Sequence, residues 1–296
     1  MIDYHADDYG LFPGQSRRIL DCYYDGVLTG VSVLTNSPFL EECMTMLRQT
    51  AADLQLTVHL NYYEGKALSP HEQVNLITDE NNVFHVSFAS LVLASYLPLR
   101  RRKYYPQVKA EIRCQVEALL PWLAGQKLRI DGHGHYHMIP IVFDALAELI
   151  EEENWNVEYI RLPYEDRAMY CRIRSELVGF QMINLVKVLI MNHFVRRNRR
   201  KYPEILSRSD WGFSGIMYSG NMRYENASPI LRELCKKKEN VEILFHPGDV
   251  REPEDIEKIT DANDKVFLTS EGRRREYEAL HLLKEDAAPV PPMPEY

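Results

Sequence analysis

The chain has 296 residues, of which 45% are hydrophobic, 10% aromatic and 26% charged, a globular composition that excludes a disordered or fibrous chain. Its 43 acidic residues outnumber 35 Lys and Arg for a net charge of −8, which argues against a nucleic-acid binder. The length suits either two ordinary domains or one α/β barrel.

In chain order, short apolar or β-branched runs predict strands at 2–6, 30–35, 54–60, 127–131, 157–162, 212–217 and 241–245. Helical periodicity predicts helices at 15–24, 38–50, 107–123, 141–152, 167–197, 229–238 and 272–283. Seven strand–helix alternations imply one parallel sheet, a TIM-like (β/α) barrel more than an open sheet. Two excursions, 62–106 and 164–210, interrupt the pattern as helical insertions. No linker composition divides the chain, so residues 1–286 are expected to form one domain and 287–296, with four prolines, an extended tail.

In parallel α/β folds the loops after the strand ends build the site. The first strand leads into His5-Ala6-Asp7-Asp8-Tyr9-Gly10, which is either a plain turn or a place where the backbone turns both carboxylates into one pocket. The third ends Val58-His59-Leu60-Asn61, with Glu64-Gly65 close behind; His59 is either a hydrogen-bonded core residue or a ligand. The fourth runs into Asp131-Gly132-His133-Gly134-His135-Tyr136-His137, so three of the ten histidines fall within five residues. Continued as a strand, that segment would align the three imidazoles on one face, with glycines between them. Arg161, inside an apolar strand, needs a carboxylate or an anionic substrate as partner. His246-Pro247-Gly248 forces a turn that brings His246 out at the end of the seventh strand. An Asp with two His leaves room for water and substrate on a cation, and a second carboxylate serves as base.

These blocks resemble the YdjC/ChbG-type carbohydrate deacetylases, with Arg161-Leu162-Pro163 and Phe245-His246-Pro247 following in family order. The resemblance runs from residue 5 to about 250. It implies a distorted barrel of about seven strands that removes N-acetyl groups from an acetylated amino sugar with a divalent cation, usually magnesium. On that basis Asp8, His59 and His133 are the expected metal ligands, Asp7 the general base and His246 the general acid or its partner. His135, His137, Asn61 and Arg161 are expected to contact substrate or support the ligands. The chain departs from the family at His5, where Asn is usual, and at Gly134, where His or Gln is usual. Two imidazoles and a carboxylate suit zinc as well as magnesium, so Zn2+ stands as the alternative to Mg2+. The rival readings are another metal-dependent hydrolase on the same scaffold, cleaving an amide, ester or phosphoester, and a non-catalytic sugar- or lipid-associated module.

The apolar stretch 178–195 carries Gln181, Asn184, Lys187, Asn192 and His193, which excludes a membrane span and predicts an amphipathic helix or a homodimer face. The cations at 196–201, and those at 100–103, suit either a solvated helix end or peripheral contact with anionic lipid or phosphate. Five dispersed cysteines form no C-x-x-C pair and are expected as small buried residues. With no signal segment at Met1-Ile2-Asp3-Tyr4-His5, a reducing, cytoplasmic setting is expected.

Overall fold

A computed structural model describes residues 1–51, 53–259 and 261–287. The apolar runs form seven parallel strands: β1 (Ile2–Tyr9), β2 (Gly30–Val33), β3 (Gln55–Leu60), β4 (Leu128–Gly132), β5 (Val157–Ile160), β6 (Gly212–Ser214) and β7 (Val241–Phe245). They pair in the order β5-β4-β3-β2-β1-β7-β6. Laid flat, β5 and β7 would stand about 24 Å apart, five steps of ~4.8 Å. Yet the Tyr159 hydroxyl on β5 donates to Glu242 Oε2 on β7 at 2.6 Å, and Arg161 just beyond β5 reaches the same carboxylate. The sheet therefore curls into a half-barrel whose interior side chains meet across it. Among the described residues no ladder joins β5 to β6. The gap is bridged instead by Ile160 N donating to Ser209 Oγ and by Trp211 against the Tyr159 ring.

The helices in chain order are α1 (Pro13–Tyr24), α2 (Leu40–Thr50), α3 (His71–Val74), α4 (Phe88–Tyr96), α5 (Pro98–Leu119), α6 (Pro140–Glu152), α7 (Arg167–Arg172), α8 (Met182–Lys201), α9 (Tyr224–Cys235), α10 (Pro253–Ile256), α11 (Ala262–Leu268) and α12 (Glu271–Ala287). One contiguous apolar core runs from Ala6 to Leu283 and is drawn from both sheet and helices. Both faces of β2 and β7 are buried, as parallel strands covered by helices require.

Several expectations need correction. The single helix expected at 167–197 breaks: Gly179 takes φ 74°, and Asn226 accepts from Val178 N and donates to Val178 O, which holds the chain out of helix before α8 begins. The helix expected from 107 starts at Pro98, an N-terminal position that needs no amide hydrogen. Pro229 lies inside α9 and does not open it. β1 continues past Ala6 to Tyr9. Of the cysteines, Cys22 and Cys43 are buried, Cys114 is partly exposed, and Cys171 and Cys235 are exposed. The prolines of the expected tail lie outside the described residues.

Candidate active site

The end of β1 does not run as a regular strand. Its pairing with β2 shifts register between Ala6 and Tyr9, and Asp8 adopts φ 68°, a left-handed conformation that Asp tolerates better than most residues. Neighbours on a straight strand point apart; here Asp7 Oδ2 and Asp8 Oδ1 lie 3.8 and 3.6 Å from one atom, His59 Nε2.

His59 on β3 is in register with Asp131 on β4, and its Nδ1 is 2.7 Å from Asp131 Oδ1. Asp131 is held in turn by Arg161 Nη2 at 2.7 Å and by the Ser32 hydroxyl. A carboxylate on Nδ1 fixes the proton there and turns the Nε2 lone pair outward, the arrangement typical of a metal-binding imidazole. His59 Nε2 is buried and has no hydrogen-bond partner. Such an orphan is costly unless something else meets it.

The strand expected through the three histidines stops at Gly132. Residues His133–Met138 form a 3-10 turn in which Gly134 and His135 take φ of 54° and 59°, so the three rings do not share one strand face. His133 Nδ1 lies 3.0 Å from Asp8 Oδ1, its Nε2 3.7 Å from Glu64, and its ring packs against those of Tyr63 and His59. His137 turns the other way, with Nε2 2.9 Å from the Arg161 carbonyl oxygen. A Cβ at Gly132 would stand 3.0 Å from His137 Nδ1 and from Leu60 O, which explains the glycine. His135 faces a cavity of about 330 Å3 together with Asp7, His246, Phe88, Lys187 and Ile190. His246 follows β7; its backbone N–H donates to Glu276 and its Nδ1 is 3.6 Å from the same carboxylate. Asn61 is buried and shapes the loop after β3, accepting from Tyr63 N and Glu64 N.

Asp8, His59 and His133 each offer one ligand atom, all within 4.8 Å of one another. A second group, His5, Asp7 and Asp131, is equally compact, but Arg161 already neutralises its carboxylates, gripping Asp7 through both oxygens at 2.9 Å. Burial would raise the carboxyls of Asp7 and Asp8, but Arg161 beside Asp7 and Arg273 beside Asp8 outweigh it and hold both ionised. Burial likewise opposes a charged His59, yet Asp7 and Asp131 push it up to about 10. His135 goes the other way: burial, then the Arg161 cation, keeps its ring neutral. Burial also lowers His137, to about 4. Four buried carboxylates, Asp7, Asp8, Asp131 and Glu242, face two buried guanidiniums, Arg161 and Arg273. Two negative charges remain for protonated His59 and His133, or for a divalent cation that displaces their protons, to balance.

Four contributors carried no decisive signal in the sequence. Arg273 lies in an Arg-Arg-Arg-Glu run that resembles any solvated helix, yet it is buried on Asp8 from 265 residues away. Ser32, Glu64 and Glu276 look equally ordinary, although Glu64 stood in a block already singled out.

Residues 4–283 match the model of a family described as YdjC-like protein. Relatives named carbohydrate deacetylase include one from Danio rerio, 22% identical over 84% of this chain and 82% of its own, and one from Mus musculus, 28% identical over 82% and 76%. A chitooligosaccharide deacetylase from Proteus mirabilis is 24% identical over 53% of this chain and 58% of its own. A crystal structure from Enterococcus faecalis V583, of a protein described as a candidate for cellobiose-phosphate cleavage, superposes with TM-score 0.68 at 19% identity, over 96% of this chain and 92% of that one. That likeness shows a shared fold.

Proposed function

The chain belongs to the YdjC-like family, and from that premise we propose that it hydrolyses the N-acetyl group of an acetylated amino sugar, using a divalent cation held by Asp8, His59 and His133. The observation that carries this reading is the orphaned Nε2 of His59, facing Asp7 and Asp8 beside a cavity that also receives His246. A bound cation there supplies Lewis-acid chemistry, lowering the pKa of a water and polarising the acetamide carbonyl. Magnesium is the cation expected of the family; the imidazole-rich donor set suits zinc equally, so both belong in the test.

The chain's own residues divide the proton work. Asp7, kept ionised by Arg161, takes the proton of the attacking water on Oδ2. Arg161 has no exposed surface, so its role is to orient Asp7 and Asp131 and not to meet substrate. His246 has its Nδ1 on the Glu276 side, so Nε2 is the nitrogen proposed to protonate the departing amine. His135, neutral and in the cavity wall, suits hydrogen bonding to an uncharged sugar. Acetate release from di-N-acetylchitobiose tests the reading: chelation should abolish it, and Mg2+ or Zn2+ should restore it. Release that survives thorough chelation would remove the cation, and no release from any acetylated amino sugar would remove the activity.

A further inference from the structure

The two excursions that wall the cavity leave an apolar surface uncovered. On α8, Met182, Ile183, Val186 and Leu189 are 43 to 66% exposed, and on α4 and just beyond it Leu93, Tyr96 and Leu97 are 44 to 58% exposed. A groove of about 700 Å3 between the two helices joins these sets. An uncovered apolar face of this size marks a contact surface.

Charge is arranged around it. Between Glu80 and Glu111 the chain carries five cations and no carboxylate, and between Glu176 and Glu204 six cations and no carboxylate, within a chain of net charge −8. Asp144 draws the two cationic ends together by binding Arg101, Arg197 and Lys201. Among the described residues Arg100, Arg102, Lys103 and Arg200 are exposed with no carboxylate partner. At 3.6 residues per turn, Met182, Val186, Leu189, His193, Arg196 and Arg200 fall on one face of α8, and all are exposed. Apolar insertion followed by cations at headgroup level is the pattern of an interfacial helix. A second copy on this face would set cations against cations, and a nucleic acid has no use for the apolar stripe.

We propose that the α4–α8 face docks on an anionic lipid bilayer, so that the sugar entering the cavity is one carried at a membrane surface. The second clause rests on the deacetylase reading. It follows because Phe88 and Ile190 line both groove and cavity, so the docked face adjoins the cavity. No described helix is long and apolar enough to cross a membrane, so the contact is peripheral.

Co-sedimentation of the full chain with phosphatidylcholine vesicles, with and without about one-third phosphatidylglycerol, tests the docking. Binding should require the anionic lipid and weaken with salt. Arg100→Glu with Arg200→Glu should lower the partition by ~tenfold or more, at about fivefold per cation lost. Met182→Asp with Ile183→Asp should do likewise; carboxylates are favourable at a helix N-terminus, so α8 is kept. None of these residues lines the cavity, so acetate release from soluble sugar should stay at the wild-type rate in every variant. Wild-type protein left in the supernatant at low salt overturns the docking. So does a wild-type dimer that Met182→Asp with Ile183→Asp converts to monomer, which would make the face a contact between copies. Vesicle binding without acetate release from any acetylated amino sugar would refute the deacetylase reading and leave the docking in place.

Discussion

On the strand side of the cavity, Asp7 is 3% exposed and Asp131 and Arg161 are fully buried, whereas the excursion opposite carries Ile190 in the cavity wall and Ile183 and Met182 outside it, 38, 57 and 66% exposed. The strand side is held by ionic hydrogen bonds that fix each other: Arg161 spans Asp7, Asp131 and Glu242, and Asp131 orients His59. The excursion side presents mostly apolar surface, aliphatic and aromatic, and few polar groups. The chemistry is thus placed where geometry is over-determined, and recognition of whatever carries the sugar is left to a surface that demands only apolar contact and cationic complement.

The sharpest test of that division is Asp7→Asn. An amide cannot accept a proton, so turnover should fall by about 10²- to 10⁴-fold. Asp7 is outside the proposed ligand trio, so cation affinity measured by titration calorimetry should persist. Turnover near the wild-type rate would deny Asp7 its role. A comparable loss from Ile190→Ala on the opposite wall would erase the contrast between the two sides.

Arg161→Leu probes the strand side through stability. It would leave Asp7, Asp131 and Glu242 buried without their shared cation, and breaking a buried charge network typically costs about 3–5 kcal/mol. Urea unfolding reads the loss directly. A change below about 1 kcal/mol, the worth of a surface pair, would mean that the network does not hold this wall together.

The same contrast explains what was legible in the sequence. All seven strands were readable, most simply β2 and β7, which are buried on both faces and therefore largely apolar along their length. The histidine cluster stood out because three imidazoles so close together have few structural uses, whereas Asp7-Asp8 and His59, readable alone as a turn and a core residue, took their roles from the family resemblance; the structure sets Asp7, Asp8, His59 and His133 beside one another. The geometry after β4 was not legible: period-two spacing suggested an aligned row of histidines, and only the left-handed backbone at Gly134 and His135 turns the rings apart. Nor was Arg273, since nothing local separates a cation that will be buried 265 residues away from its solvated neighbours. The long apolar helix was recognised, but its break at Gly179 depends on Asn221 and Asn226, more than forty residues downstream.

The smallest effect lies at the root of the excursion wall, where Asp144 on α6 ties the start of α5 to the end of α8. Its carboxylate takes Arg197 at 2.6 Å, Arg101 at 2.9 Å and the Tyr202 hydroxyl at 2.7 Å. Burial would raise this acid, but hydrogen bonds from Arg197, Tyr202 and Lys201 bring it down to about 2. A folded pKa below the ordinary 3.8 means that the carboxylate stabilises the fold above pH 3.8 and loses that contribution as pH falls from 3.8 toward 2. Arg101, Arg197 and Lys201 are 27 to 48% exposed, so solvent screening reduces the contribution to about 1 kcal/mol. Asp144→Asn should therefore lower stability by that amount at neutral pH, and the gap to wild type should close in urea titrations carried down through pH 3.8. Soluble-sugar deacetylation should be unaffected, because the strand wall does not touch this cluster. A gap that stays constant into acid would show that the α5–α8 junction is held by packing and not by the carboxylate.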